Sequence, residues 1–282
     1  MDKSFFIKRK IANLIIYAIL TAIAIYTLMP MLFLLLNSFK SQSEIIRNPL
    51  ALPDVWTAEY IKRAFNAISF PRALGYTTLI SVCSLALIVL FSSVGGWIIT
   101  RYKSKQSTTI YLLFVSAMLI PFQAVMYPLM NMMDLVGLKN ILGLIIMYAG
   151  FGLSLSIFLY SGFFKSVPYG IEEAALIDGA NIFRMFFFIV FPLVKGITVT
   201  VLILNGMWIW NDYLLPYLTL GTSENKTLVL ELFYAKMTSG QFGNPWELIF
   251  PAVLISVIPM VIVFLFLQKY FVKGVSAGAI KS

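Results

Sequence analysis

The sequence has 282 residues, of which 60% are hydrophobic and only 12% are charged, and its formal net charge is +9. A soluble globular domain carries about 25% charged residues, so the composition excludes an ordinary water-soluble fold and predicts a polytopic membrane protein, because lipid removes the need for a polar surface. The chain has no histidine and a single cysteine, Cys83, inside an apolar run. These facts exclude an intrachain disulfide and argue against a metal site or catalysis by this chain.

The first apolar run, Ile11–Leu36, follows the basic residues of the N-terminus. The basic start and the small residues Ala22 and Ala24 are also features of a signal peptide. The apolar run continues past Ala24 without a break, however, and is too long for that interpretation. We therefore predict a retained first transmembrane helix.

Five more runs have the roughly 20 apolar residues that a spanning helix needs. They lie within Leu74–Thr100, Thr108–Met130, Ile141–Phe164, Ile197–Leu218 and Leu248–Leu267. Prolines inside these runs predict kinks, which packed neighbours allow in a membrane. We expect an all-α protein in which residues 1–282 form one transmembrane domain with six helices.

The basic residues predict how these helices cross the membrane. With the N-terminus inside, thirteen of the 21 basic residues, from Lys3 to Lys281, fall in inside segments. This excess agrees with the positive-inside rule and places both termini in the cytoplasm. No basic cluster resembles a nucleic-acid recognition stripe, so nucleic acid is not an expected partner. The long external segments, about 37–72 and 219–247, contain Trp56, Tyr60 and Trp246, which serve as interfacial anchors or form a docking surface.

The inside segment of residues 165–196 is longer than a simple turn needs. Helix formers over Ile171–Ile177 carry Glu172 and Glu173 in the first turn, where the helix dipole favours carboxylates, and Gly179 is a natural stop. Ala174 and Ala175 keep this helix thin, and Glu172, Glu173 and Asp178 offer acceptors to basic side chains of a partner protein. The alternative is an interfacial helix on the headgroups, where an anionic leaflet disfavours three carboxylates.

The same segment carries a spaced motif. Glu173-Ala174-Ala175 is followed after three intervening residues by Gly179, after nine more by Ile189, and after one more by Phe191-Pro192. This pattern resembles the EAA motif of ABC-importer permeases, with Phe191 in place of the usual leucine. The longer run EEAALIDGA, the Asn37–Lys40 stretch, Arg101-Tyr102, Trp210-Asn211-Asp212 and the tail from Lys273 to Ala279 resemble the carbohydrate branch, and within it the maltose-type second permease subunit (MalG-like). Gly196 departs from that branch, which often has proline there.

The resemblance implies a type I ABC importer permease fold in the cytoplasmic membrane of a bacterium or archaeon. It implies a heterodimer with a second permease subunit, two ATPase subunits that bind ATP and Mg²⁺, a solute-binding protein outside the membrane and a saccharide cargo. Glu173, Ala174, Ala175 and Gly179 would form the contact that couples this chain to an ATPase, supported by Glu172 and Asp178. No cofactor or metal is expected on this chain, which lacks a phosphate-binding loop.

A candidate substrate path lies at the end of the fifth span. Asp212 is an intramembrane carboxylate, which is a functional candidate, and its neighbours Trp208, Trp210, Asn211 and Tyr213 suit sugar faces and hydroxyls. The alternative is that Asn211 and Asp212 lie near the outer edge and stabilise helix packing.

Three rival functions remain open at this point. An ion-coupled secondary transporter explains the spans but gives the acidic loop no role. A membrane-embedded enzyme needs a catalytic set that the composition does not favour. The same permease class could also import a polyol, glycerol phosphate or another polar solute.

Overall fold

A computed structural model describes the backbone of residues 3–239 and 244–279, and it confirms the all-α prediction. The described residues form helices joined by turns, with no strand among them. Lys281 and residues 240–243 of the predicted second external segment lie outside the described residues. The helices are α1 (Lys3–Asn37), α2 (Gln42–Arg47), α3 (Glu59–Ala67), α4 (Phe70–Arg101), α5 (Lys105–Ala117), α6 (Phe122–Leu135), α7 (Ile141–Phe164), α8 (Gly170–Ile177), α9 (Ile182–Arg184), α10 (Phe191–Leu193), α11 (Lys195–Asn211), α12 (Leu214–Leu220), α13 (Leu228–Ser239) and α14 (Trp246–Ala279), with a π-helical segment (Met185–Val190) between α9 and α10.

Among the described residues, four helices are each long and apolar enough to cross a membrane. They are α4, α7, Lys10–Asn37 of α1 and Trp246–Phe266 of α14. If each bent pair of helices counts as one span, there are two more. These pairs are α5 with α6, bent by 103°, and Ile182–Leu193 with α11, bent by 78°. The six predicted spans therefore correspond to four continuous helices and two bent pairs.

Pro121 explains the break in the third predicted span, Thr108–Met130. A proline has no N–H to donate and disfavours helical geometry at the residue before it. Pro121 is extended, with φ −66° and ψ 140°, and α6 begins at the next residue. The sequence predicts a kinked single helix here, whereas the structure separates two helices.

The fifth predicted span, Ile197–Leu218, is also interrupted. Helix α11 ends at Asn211 because Asp212 is extended, with ψ 132°. The Asp212 carboxylate then accepts the backbone N–H of Leu214 at 2.9 Å, near the start of α12. A short polar side chain that binds a nearby backbone N–H is a common alternative to continued helix.

By its internal contacts the chain divides into two units, Met1–Ser69 with Tyr234–Val257, and Phe70–Phe233 with Ile258–Ser282. In the first unit, Lys40 is buried and its Nζ donates to the carbonyls of Asn48 and Pro49 at 3.3 and 3.1 Å. The backbone N–H of Gln42 donates to Glu247 at 2.9 Å, which joins α2 to the start of α14.

In the second unit, α7 packs against α4, α5, α11 and α12. Small residues let α4 and α7 approach closely, as is usual between membrane helices. A Cβ atom added at Gly96 of α4 would lie 2.8 Å from Cβ of Tyr160 and 3.2 Å from the backbone N of Ser161. Its neighbour Gly95 has room, because a Cβ atom added at Gly95 would lie 3.8 Å from the nearest atom, which belongs to Ile157.

We predict that Gly96→Ala destabilises the protein by about 1–3 kcal/mol, the usual cost of overpacking, whereas Gly95→Ala is neutral or slightly stabilising because alanine favours helix. Thermal unfolding of the two variants in the same detergent measures this difference. Equal melting temperatures for both variants would show that α4 and α7 are not held this closely.

Candidate functional site

Helix α8 is the short helix that the sequence predicts in the segment 165–196. It follows Pro168 and runs from Gly170 to Ile177, and Glu172 and Glu173 lie in its first turn. Carboxylates at this position are favoured by the partial positive charge of the helix N-terminus. Helix α8 thus has the predicted location and polarity.

Gly179 ends α8 in a left-handed backbone conformation, with φ +81°. Its N–H donates to the carbonyl of Leu176 at 3.1 Å, and the N–H of Ala180 donates to the carbonyl of Ala175 at 3.0 Å. This is the Schellman arrangement, in which glycine is preferred because it has no Cβ. A Cβ atom at Gly179 would meet no described atom within 4 Å, so the backbone conformation, and not crowding within the chain, requires glycine.

The two adjacent glutamates of α8 have different surroundings. Glu172 is only 3% exposed, and its carboxylate accepts hydrogen bonds from Nε of Arg101 at 2.7 Å and from Nε1 of Trp97 at 3.2 Å. Glu173 is exposed. The expectation that Glu172 offers its carboxylate to a partner is therefore wrong, because Arg101 and Trp97 already occupy it.

Arg101 joins three elements at one point. It is the last residue of α4, and its guanidinium donates to the carbonyls of Phe164, at the end of α7, at 3.3 Å and of Val167 at 3.0 Å. The same guanidinium forms the ion pair with Glu172, with Nη2 and Oε1 2.6 Å apart. The start of α8 is thereby fixed to the ends of α4 and α7.

The exposed face of α8 is partly acidic and partly apolar. Glu173, Ala174, Asp178 and Gly179 are exposed, and so is Ile177, at 86%. Ala175 is buried, which differs from the expectation that it faces a partner. A small residue, two carboxylates and an uncovered isoleucine on one short helix form a surface that suits a protein partner better than water.

The π-helical segment continues from this site towards α11. Asn181 caps the turn before it, since its Oδ1 accepts the N–H of Arg184 at 2.8 Å. Phe186 in the segment packs against Trp97, with ring centroids 5.0 Å apart. The donor to Glu172 is therefore itself held by the segment that leads to α11.

The residues of the predicted substrate path do not form one cluster. Asp212 accepts from the hydroxyl of Tyr148 at 3.0 Å, and Tyr148 packs against Trp208 with centroids 5.3 Å apart. Tyr213 stacks instead on Phe233 at 5.4 Å. Asn211 is exposed and donates to the carbonyl of Met207 at 2.7 Å, and Trp210 is half-buried.

Trp208 also lines a cavity of about 690 Å³ between α5, α6, α7 and α11. Most of its lining is apolar, with Asn205 and Ser154 as polar exceptions. Asn205 is buried, and its amide donates to Oγ of Ser156 at 3.1 Å and to the carbonyl of Val201 at 2.9 Å. The two predicted polar residues of the path, Asn211 and Asp212, thus both have partners within the chain.

Sequence reasoning missed Arg101 and Trp97 as members of the α8 site. From the sequence alone, Arg101 was used for its charge and for the family resemblance, and no role was assigned to Trp97. The available signal is their spacing, because residues four apart lie on the same helix face. The Asn205–Ser156 pair was missed as well, although a polar amide inside an apolar span is itself a signal.

Comparison with known proteins adds three findings. Residues 92–277 match the model of the family described as the binding-protein-dependent transport system inner membrane component. The chain is 39% identical to a probable permease of the transport system for starch degradation products (AmyC) from Thermoanaerobacterium thermosulfurigenes, over 89% of this chain and 91% of that one. It is 34% identical to the multiple sugar-binding transport system permease MsmG of Streptococcus mutans, over 94% and 96%.

A solved structure shares the fold. A chain of a bacterial ABC transporter involved in import of the acidic polysaccharide alginate superposes with a TM-score of 0.81 at 22% identity, covering 96% of this chain and 99% of that one. This likeness confirms the fold expected from the sequence.

We predict that Glu172→Ala destabilises the attachment of α8 by up to about 3 kcal/mol, because it leaves the guanidinium of Arg101 without its counter-charge. Glu173→Ala is the matched control and is expected to change stability by no more than about 0.5 kcal/mol, as is usual for an exposed residue. Hydrogen exchange of the α8 amides measures both. Equal exchange in the two variants would contradict the assigned role of Glu172.

Proposed function

Because this chain belongs to the family of inner-membrane components of binding-protein-dependent transport systems, we propose that it forms one permease half of an ATP-driven importer for a sugar or oligosaccharide. The family consists of transporter components and not of enzymes. The chain is accordingly a multi-pass membrane protein, and its proposed role is to open and close a substrate path across the membrane.

The observation that carries the proposed coupling is the fixed position of α8. Arg101 holds Glu172 and the ends of α4 and α7 together, so a force on α8 reaches two spans directly. The exposed face with Glu173 and Ala174 remains free to contact another protein. We assign this face to the cleft of an ATPase subunit, which would move when ATP binds. Such a rigid helix converts closure of the ATPase into movement between two arrangements of the spans.

The remaining partners follow from the family and from the chemistry that this chain lacks. The family name itself specifies a binding protein. The sequence has no phosphate-binding loop, so ATP and Mg²⁺ belong on separate ATPase subunits, and a second permease subunit would complete the path. We place α8 and both termini in the cytoplasm, as the distribution of basic residues favours.

The proposed cargo class rests on relatives. The names of the two relatives refer to starch degradation products and to multiple sugars, and the solved neighbour belongs to an importer of a polysaccharide. These names favour a saccharide over a polyol or glycerol phosphate.

We predict that Glu173→Lys abolishes uptake while leaving membrane insertion intact, because it reverses the charge on the exposed face of α8 without touching the Arg101–Glu172 pair. Uptake per unit of protein in the membrane measures the effect. Asp134→Lys is the control, since it reverses an exposed carboxylate that forms a surface ion pair with Lys139 at 3.7 Å, and such surface pairs contribute little to stability. Normal uptake by Glu173→Lys at normal expression would refute the coupling role.

We predict that Gly179→Arg also uncouples transport, because it forces a bulky residue into a left-handed conformation at the end of α8. Gly179→Asn is the matched variant, since asparagine tolerates this conformation, and it is expected to retain much more uptake. Uptake and ATPase stimulation by cargo are measured together. If both variants lose uptake equally, the backbone bend is not what matters at this position.

We predict that cells expressing the importer accumulate labelled oligosaccharides in an ATP-dependent manner. The assay compares oligosaccharides with a polyol and glycerol phosphate, with ATP depleted while ion gradients are clamped. ATP depletion should abolish uptake of the saccharide. Uptake that follows the ion gradient would indicate a secondary transporter, and preference for glycerol phosphate or the polyol would overturn the proposed cargo while leaving the permease class intact.

A further inference from the structure

A second cavity lies where α4 and α7 end and α5 begins. Its volume is about 1140 Å³, slightly above the range of about 300–1,000 Å³ that is usual for ligand sites. Because Arg101 is both part of its lining and the partner of Glu172, the cavity lies at the same end of the unit as α8. Its lining includes Ile99, Arg101, Lys103, Lys105, Leu112 and Lys165.

The charge of this cavity is strongly positive. Four basic residues line it, and no residue of its lining is acidic. The carboxylate of Glu172 pairs with Arg101 at 2.6 Å, so that charge is compensated within the chain. Lys103, Lys105 and Lys165 are exposed and supply three positive charges to one concave surface, which would attract an anion.

One of these lysines is positioned by an aromatic ring. Nζ of Lys165 lies 5.7 Å from the ring centroid of Tyr111, within the distance at which a cation is attracted to an aromatic face. Lys165 follows the end of α7 and Tyr111 lies on α5. This contact keeps the ammonium group at the cavity edge, between the two helices.

The lining of the cavity also includes hydroxyl groups and two aliphatic side chains, Ile99 and Leu112. Ile99 lies two residues before the end of α4, and Leu112 lies seven residues into α5 and is 57% exposed. Helix α4 and the bent pair of α5 with α6 are candidate spans, so in a membrane these two side chains would lie closer to the acyl chains than the lysines at the helix ends. A small hydrophilic anion would bind the lysines but would leave Ile99 and Leu112 without an apolar partner.

We propose that this cavity binds an anionic phospholipid, with the phosphate on Lys103, Lys105 and Lys165 and the start of an acyl chain along α4 and α5. Basic pockets between membrane helices on the cytoplasmic side are suited to anionic headgroups. The inference rests on the orientation proposed above, because the inner leaflet would then supply the lipid. It does not depend on the cargo or on coupling to an ATPase.

The test is lipid retention by the full-length protein, purified in mild detergent with its co-purifying subunits and examined by native mass spectrometry. Dioleoyl phosphatidylglycerol, dioleoyl phosphatidylcholine and inorganic phosphate are added separately. The wild-type protein is expected to retain phosphatidylglycerol. The triple variant Lys103→Gln, Lys105→Gln, Lys165→Gln is expected to bind it roughly tenfold or more weakly, since each lysine near a membrane surface contributes to anionic-lipid binding.

A matched triple variant controls for net charge. Lys62→Gln, Lys139→Gln and Lys236→Gln remove three exposed lysines from the predicted external segments, and this variant should bind phosphatidylglycerol like the wild type. Equal loss in both triple variants, or equal retention of phosphatidylcholine, would overturn the proposal. In a further sample inorganic phosphate is added together with phosphatidylglycerol at equal concentration, and displacement of the lipid would assign the site to free phosphate. The Glu173→Lys variant should lose uptake but still retain phosphatidylglycerol. The coupling proposal and the lipid proposal can therefore be refuted independently of each other.

Discussion

The ion pair between Arg101 and Glu172 fixes the position of α8, and the exposed face of α8 depends on that position. A largely buried ion pair adds little net stability, yet its loss leaves a charge without a partner. Its contribution is therefore to geometry. The guanidinium also holds the carbonyls of Phe164 and Val167, so one side chain sets the relative placement of α4, α7 and α8. For the coupling role proposed for α8, this fixed geometry matters more than the net stability that the ion pair contributes.

At the break between α11 and α12 a side chain of the second unit satisfies a freed backbone group. In lipid an unpaired backbone group has no water to bind, so a break needs a local partner. Asp212 supplies one by accepting the N–H of Leu214. Within the continuous helices, Tyr160 donates to Thr198 at 2.9 Å and joins α7 to α11. The bond from Tyr160 and the close approach at Gly96 join the continuous helix α7 to α11 and to α4.

Local pattern predicts much of this architecture and one end of the site. The bounds of α7 agree with the apolar run Ile141–Phe164 because nothing interrupts that run, and Gly179 ends α8 because its conformation is a local property. The difference between Glu172 and Glu173 is not local. It depends on Arg101, which is 71 residues from Glu172 in the sequence. Because positions 172 and 173 are both glutamate, the residue type alone does not distinguish them. The sequence likewise indicates Asp212 as a polar residue in an apolar span. Its partner Tyr148 lies on another helix, α7, and the pair is not predictable from local pattern.

The polar groups of the second unit also bear on how cargo is chosen. Each buried sugar hydroxyl needs a hydrogen-bond partner, because burying it without one is costly. The cavity beside Trp208 is mostly apolar, and the amide of Asn205 and the carboxylate of Asp212 already bind groups of this chain. A hydroxyl that approached Asn205 or Asp212 would therefore compete with hydrogen bonds that these side chains already make within the chain.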